Sequence, residues 1–175
     1  MVRQISIVAL QLCALSQLSA QEPSWRLIGN PVGAPAGCSN AAAVSAISAF
    51  VAAMGTADSA GLAQATTPLY NREFTFSTGK FTPTDTFAAA RTLPELLTYA
   101  RKRARRHERI TIQQITFNDW RGHWLNFGPI YFQRSADDLG KAALPGIGKG
   151  VYWCGKGIFV WNTAPRPSYD RGPGG

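Results

Sequence analysis

Residues 93–134 read LPELLTYARKRARRHERITIQQITFNDWRGHWLNFGPIYFQR, a helical pattern that passes directly into aromatic strands. Leu93, Leu96, Leu97, Ala100 and Ala104 recur at helical spacing, and Pro94 suits a first turn, where its missing N–H is not needed. The stripe predicts a helix through about His107. Beyond it, Ile110, Ile112, Ile115 and Phe117 alternate with polar residues and slip phase near Gln113-Gln114, which predicts a strand carrying a bulge. His123 to Arg134 is a second strand-like run, rich in aromatics and interrupted by Gly128-Pro129.

Working outward, Ser39 or Asn40 can cap a helix, since a short polar side chain accepts from the free amides of the first turn. Val44, Ile47, Val51 and Met54 follow at helical spacing as far as Gly55-Thr56. Asp58 can cap a shorter helix to about Ala65, stopped by Thr67-Pro68. Tyr70 to Phe76 alternates and reads as a strand, with a turn at Ser77 to Lys80. On the other side, Val151 to Cys154 and Ile158 to Asn162 flank Gly155-Lys156, which predicts a two-residue hairpin. Helices first and aromatic strands last make an α+β domain, in which a curved antiparallel sheet is covered on one face by helices.

The ends bound the domain. Met1-Val2-Arg3, an apolar run from Ile5 to Leu15 and small residues near Ala20 form the pattern of a secretory signal over residues 1–20. The run surrounds every face of the segment, unlike a one-striped core helix. It is shorter than the ~20 residues a membrane span needs, and no later segment is long enough either. Cleavage near Ala20 would remove Arg3 and no acid, taking the formal charge from +8 to +7. Residues 21–37, with three prolines and three glycines, predict a flexible linker, and residues 163–175 a disordered tail. The folded domain is expected over 38–162.

After the leader, two cysteines remain, Cys38 and Cys154. An even count in an exported chain points to a disulfide, with two buried thiols as the alternative. Closing so long a loop contributes about 4–5 kcal/mol in the chain-entropy picture. The two histidines and two cysteines do not have the close spacings of zinc sites, so no metal is expected.

The opening helix Ala41 to Met54, the short helix Ala60 to Ala65, the strand Glu73-Phe74-Thr75-Phe76, the helix from Leu93 to Tyr99 and the closing aromatic strands together resemble the nuclear-transport-factor-two-like superfamily. That cone-shaped fold also holds ketosteroid isomerases and SnoaL-like polyketide cyclases. Arg106-His107-Glu108, Arg134 to Leu139 and Gly148-Lys149-Gly150 before Cys154 are similar to exported bacterial members without an assigned activity. The resemblance implies a cone-shaped antiparallel sheet of four to six strands covered by three N-terminal helices. It also implies a pocket between them and, in many members, a homodimer through the open sheet face. Fold alone does not decide function.

Arg101, Lys102, Arg103, Arg105, Arg106 and Arg109 form the densest charge run. It reads as the solvated face of an amphipathic helix, with cations favoured near a helix C-terminus. The functional alternative is a surface for weak contact with anionic lipid or polymer. His107 falls near the apolar stripe, as a core histidine or as a pocket acid–base group with Asp119, Asp85 or Glu108 as its carboxylate partner. Arg134 ends an aromatic strand, either anchoring an acidic ligand or pairing with Asp137, Asp138 or Glu73. Trp124 and Trp153 are core residues by default, and with Tyr99, His107 and Arg134 they are the candidate pocket lining. No nucleophile elbow, phosphate loop or paired-histidine zinc helix is present, and no cofactor is implied.

The expectation is an exported, non-catalytic domain that binds a small apolar or amphipathic molecule, or a protein partner, in or near the cone pocket. The alternatives are an isomerase, dehydratase or cyclase using His107 with a carboxylate, and a surface-association protein using the basic helix.

Overall fold

The computed structural model describes residues 25–66 and 74–167. The signal segment 1–20, the strand residues Tyr70 to Glu73 and the last eight residues lie outside them. The described residues form β1 (Arg26–Ile28), α1 (Asn40–Thr56), α2 (Ser59–Ala65), β2 (Thr75–Thr78), β3 (Ala88–Ala90), α3 (Leu93–Ala104), β4 (Arg109–Arg121), β5 (Trp124–Ser135), β6 (Leu144–Trp153) and β7 (Gly157–Pro165).

Local chemistry sets the helix boundaries. The Ser39 hydroxyl accepts the Ala42 amide at 3.1 Å, and the Asp58 carboxylate accepts that of Ala60 at 3.0 Å. Thr92 and Glu95 cap α3 reciprocally, with Pro94 in its first turn. This helix ends at Ala104, short of the predicted His107, because the chain turns through Arg105 and Arg106 into a left-handed residue at His107, φ 50°.

The strands make one curved α+β sheet in the order β1-β4-β5-β6-β7-β2-β3. Seven strands exceed the four to six expected, and two pairings, β1 with β4 and β2 with β7, are parallel. The predicted linker contains β1, and β7 extends through Thr163 to Pro165 into the predicted tail. Both were hidden because backbone pairing holds them without any run of apolar residues. Gly29 follows β1 at φ +81°, and a side chain there would meet the Phe117 carbonyl. The predicted bulge appears as a register shift between Ile112 and Gln114. The last hairpin turns through Cys154, Gly155 and Lys156 rather than two residues.

Alternation puts Leu125, Phe127, Ile130 and Phe132 of β5 on the buried face, with Tyr152 and Trp161 beside them. Phe50 of α1 meets the Trp161 ring at 5.1 Å, so this face is the one the helices cover. Phe127 and Phe132 lie across from Gly150 and Gly146 on β6, where the missing side chains make room for the rings. The Cys38–Cys154 disulfide ties the start of α1 to the β6–β7 turn, with Cα atoms 5.7 Å apart. Among the described residues no helix is long and apolar enough to cross a membrane.

Gly146→Ala drives a methyl into the buried Phe132 ring and is expected to destabilise the domain by about 1–3 kcal/mol. Gly55 near the end of α1 has open space around it, so Gly55→Ala should stabilise by about 0.5–1 kcal/mol. Urea denaturation of both variants checks the contrast, and equal effects would sink the packing argument.

Candidate functional site

Three elements converge at the end of the sheet where β4 begins and β5 ends. On α3, Leu96, Ala100 and Arg103 share one buried face, with Tyr99 beside it. Glu108 lies just ahead of β4, next to the register pair Ile110 and Arg134. The segment ahead of β3 contributes Phe81 and Asp85.

Arg134 is only 2% exposed, so its donors must be met inside the protein. Its Nε and Nη2 donate to Glu108 Oε2 at 3.0 and 2.8 Å. Its Nη1 donates to Asp85 Oδ2 at 2.8 Å, and Nη2 also reaches the Tyr99 hydroxyl at 3.3 Å. The Phe81 ring lies 4.6 Å from the guanidinium carbon. Arg103, 4% exposed, donates from Nε to the same Glu108 oxygen and forks onto Asp138 at 2.8 and 2.9 Å.

The titration of these groups follows from that arrangement. Burial pushes Asp85 upward, but the Phe81 amide, the Arg134 charge and the Thr86 amide outweigh it and hold the carboxyl below its ordinary value. Asp138 is lowered chiefly by its hydrogen bonds from Arg103. Tyr99 is raised well above the usual phenol value, by burial first and then by the Glu108 charge. Tyr99 is therefore a neutral phenol at physiological pH. Every charge in the cluster has a partner.

The space left inside is small. Tyr99, Arg134, Phe132 and Trp161 border a void of about 20 Å³, and a second void of about 20 Å³ lies beside Arg103 and Glu108. Each has room for about one water and none for an organic ligand.

The predicted pocket residues therefore separate. Tyr99 and Arg134 come together, but as parts of a filled cluster. His107 does not face the interior. Its side chain is 80% exposed and bonds the exposed Asp137 through Nδ1 at 2.8 Å. The helix it was placed on ends three residues earlier, so the apolar stripe does not extend to it. It lies on an open cleft of about 470 Å³ with Arg109 and Val51. The acid–base alternative needs His107 and a carboxylate in one closed cavity, and this pair is on the surface.

Trp124 and Trp153 stand on the other face of the sheet, at 5.6 Å from each other and 5.1 and 6.0 Å from Phe159. They are outside the cone because they alternate with the buried Leu125 and Tyr152. Of the six cations, Arg101, Lys102, Arg105, Arg106 and Arg109 are exposed, and Arg103 is withdrawn into the core. Arg134 pairs with Glu108 and Asp85, not with Asp137 or Asp138.

Sequence reading weighed Glu108 and Asp85 as partners of His107, not of Arg134, and missed the inward turn of Arg103. The spacing of Arg103 from Leu96 and Ala100, which matches one helix face, was its signal. Asp85 sits in an irregular loop that carried none.

A groove of about 780 Å³ lies on the uncovered sheet face. Ile147, Val151 and Val160 give it an apolar surface, and Asn126, Lys149 and Asn162 place polar groups along it. The aromatic trio of Trp124, Trp153 and Phe159 continues the same face.

No known family's sequence profile matches the chain, and no curated protein matches it. Solved structures do. A protein of unknown function with a cystatin-like fold from Methylobium petroleophilum is 14% identical, with TM-score 0.57 over 79% of this chain and 85% of its own. A candidate dehydratase of the NTF2-like family from Streptomyces avermitilis is 12% identical, with TM-score 0.53 over 73% and 96%. The Anabaena orange carotenoid protein binding canthaxanthin is 8% identical, with TM-score 0.51 over 81% of this chain and 38% of its own.

Arg134→Met leaves Glu108 and Asp85 buried without their cation and should cost about 3–5 kcal/mol of stability. Arg134→Lys should not restore it, because an ammonium cannot serve the same fork of acceptors. The lowered carboxyls Asp85 and Asp138 contribute stability that is present above their unfolded values near about pH 4 and lost as pH falls through the folded ones. Denaturation of wild type, Arg134→Met and Arg134→Lys from neutral to acidic pH checks both points. A wild type whose stability stays flat below that region would contradict the linkage.

Proposed function

From the nuclear-transport-factor-two-like fold of this chain and the filled interior of its cone, we propose an exported, non-catalytic binding domain whose ligand surface is the open sheet groove. The observation that carries this reading is the contrast in space: about 20 Å³ beside Tyr99 and Arg134, against about 780 Å³ on the uncovered face. Small-molecule sites range over about 300–1,000 Å³ and combine apolar walls with a few polar groups. Val151, Val160 and Ile147 offer the walls, and Lys149 offers a cation for an acidic head. That combination suits an amphipathic anion such as a fatty acid. A neighbour that binds a carotenoid lends the fold a precedent for apolar ligands, and the candidate dehydratase a precedent for catalysis. The His107 arrangement does not support the second.

Titration of the full chain with a long-chain fatty acid, read by displacement of anilinonaphthalene sulfonate, tests the reading. One site per chain is expected, weakened roughly tenfold, about 1.4 kcal/mol, by Lys149→Glu. Equal affinity in both proteins would defeat the assignment of Lys149. A dimer by light scattering that Val160→Asp converts to a monomer, with no fatty-acid binding, would assign the groove to a second copy instead.

A second reading rests on the five cations that stay exposed around the end of α3. They suit weak association with anionic surfaces, screened by salt within a Debye length of about 10 Å at 0.1 M. Co-sedimentation with phosphatidylglycerol vesicles should fall steeply between low and high salt and with Arg105→Gln/Arg106→Gln. Retention that ignores salt would exclude an electrostatic surface.

A further inference from the structure

The Cys38–Cys154 bond has a histidine beside it. His123 lies in the turn between β4 and β5, and its Nδ1 is 3.8 Å from Cys38 Sγ. Its carbonyl accepts the Cys154 amide at 2.9 Å, so backbone pairing holds the residue at the cysteines. Three segments distant in sequence meet here: the turn before α1, the β4–β5 turn and the β6–β7 turn. The two sulfurs and the imidazole nitrogen all lie within 4.8 Å of one another. A tetrahedral zinc centre, with Zn–S about 2.3 Å and Zn–N about 2.0–2.1 Å, sets its donors roughly 3.5–3.8 Å apart. The Cys38–His123 separation already has that value. The two sulfurs must draw apart, from Cα positions 5.7 Å from each other, and the Cys154 sulfur must settle within the same range of His123. Sequence spacing hid the set, because the three ligands are far apart along the chain.

We propose that reduction of this bond converts it into a metal site, in which Cys38, Cys154 and His123 bind Zn²⁺ with the fourth position left to water. A dithiol reductant exchanges with the protein disulfide. Its own two sulfurs are oxidised to a disulfide, and the two electrons and two protons leave Cys38 and Cys154 as thiols. The metal then displaces one proton from each thiol, and neutral His123 ligates through Nδ1 without losing one. Zn²⁺ keeps its oxidation state throughout. Two thiolates and an imidazole are the donors that select zinc over magnesium or calcium. His123 is exposed and the cysteines half-buried, so the ion can enter from solvent. The start of α1 then stays tied to the β6–β7 turn in both redox states, by a covalent bond in one and by the metal in the other.

The full chain, oxidised or reduced with a phosphine, is titrated with Co²⁺ as the spectroscopic probe and then with Zn²⁺. The reduced protein should bind one equivalent, with a sulfur-to-cobalt charge-transfer band and the visible bands of tetrahedral cobalt, all removed by Zn²⁺. The oxidised protein should show neither. Changes outside the ligand shell already cost about 10–100-fold in affinity, so His123→Ala should cost at least that. Cys38→Ser/Cys154→Ser should show no charge transfer. Unchanged affinity in His123→Ala, or an equal response from the oxidised protein, overturns the assignment. If reduction unfolds the chain, Zn²⁺ should restore the far-UV circular dichroism, and failure to do so also overturns it.

Discussion

A guanidinium that is 2% exposed, as Arg134 is, can remain charged only if nearly all its donors and its face are met by protein. Glu108 takes two of its N–H groups, Asp85 a third, Tyr99 adds a hydroxyl and Phe81 covers the ring plane. Each partner comes from a different part of the chain. Breaking one partnership leaves the others as buried charges, so the helix, the loop ahead of β3 and the ends of β4 and β5 must be placed together. Arg103 extends the constraint to Asp138, in the loop after β5. Ion pairs of this kind add little net stability over an apolar replacement, yet they penalise alternative arrangements heavily. Here they fix the angle at which α3 meets the sheet.

That constraint has a functional consequence. The cluster sits between α3 and the covered face of the sheet, and the aromatic residues fill what remains. Phe50 lies against Trp161, and Phe127 lies 6.2 Å from the same indole. Gly146 and Gly150 let two phenylalanine rings lie flat across β6. The voids left in this interior are about 20 Å³ each, and its charged groups are paired with one another. The recognisable polar residues of the interior, Tyr99 and Arg134, are therefore parts of the structure. The open space lies instead on the uncovered face, where apolar side chains alternate with the buried ones.

What was legible in the sequence follows the range of the interactions. Caps and periodicity act within a few residues, so Ser39, Asp58 and Pro94 marked helix starts, and Gln113-Gln114 marked the bulge. The α+β class followed from the order of these local signals. The short strand β1 has no such signal, because its place is set by pairing with Gln114 to Thr116 far along the chain. The same holds for the cluster, since Arg134 is 26 residues from Glu108 and 49 from Asp85. His107 shows the opposite error. Helical periodicity was carried past the point where the backbone turns left-handed, and a surface residue was read as an inward one.

The strand β5 connects two fastenings of different chemistry. Its first residue, Trp124, follows His123 beside the disulfide, and Arg134 near its other end anchors the ion cluster. Eleven residue steps from His123 to Arg134 set them apart by up to about 36 Å. Groups that far apart, with no shared partner, contribute nearly additively to stability. One fastening depends on the redox state of its surroundings and is indifferent to the protonation of carboxyls. The other depends on the ionisation of Asp85 and Asp138 and is indifferent to reductant. The cluster also holds α3 to the sheet without help from the cysteines. Loss of the covalent tie, where no metal takes its place, therefore loosens the start of α1 and the β6–β7 turn first, and leaves the filled interior, with the groove on its far side, in place.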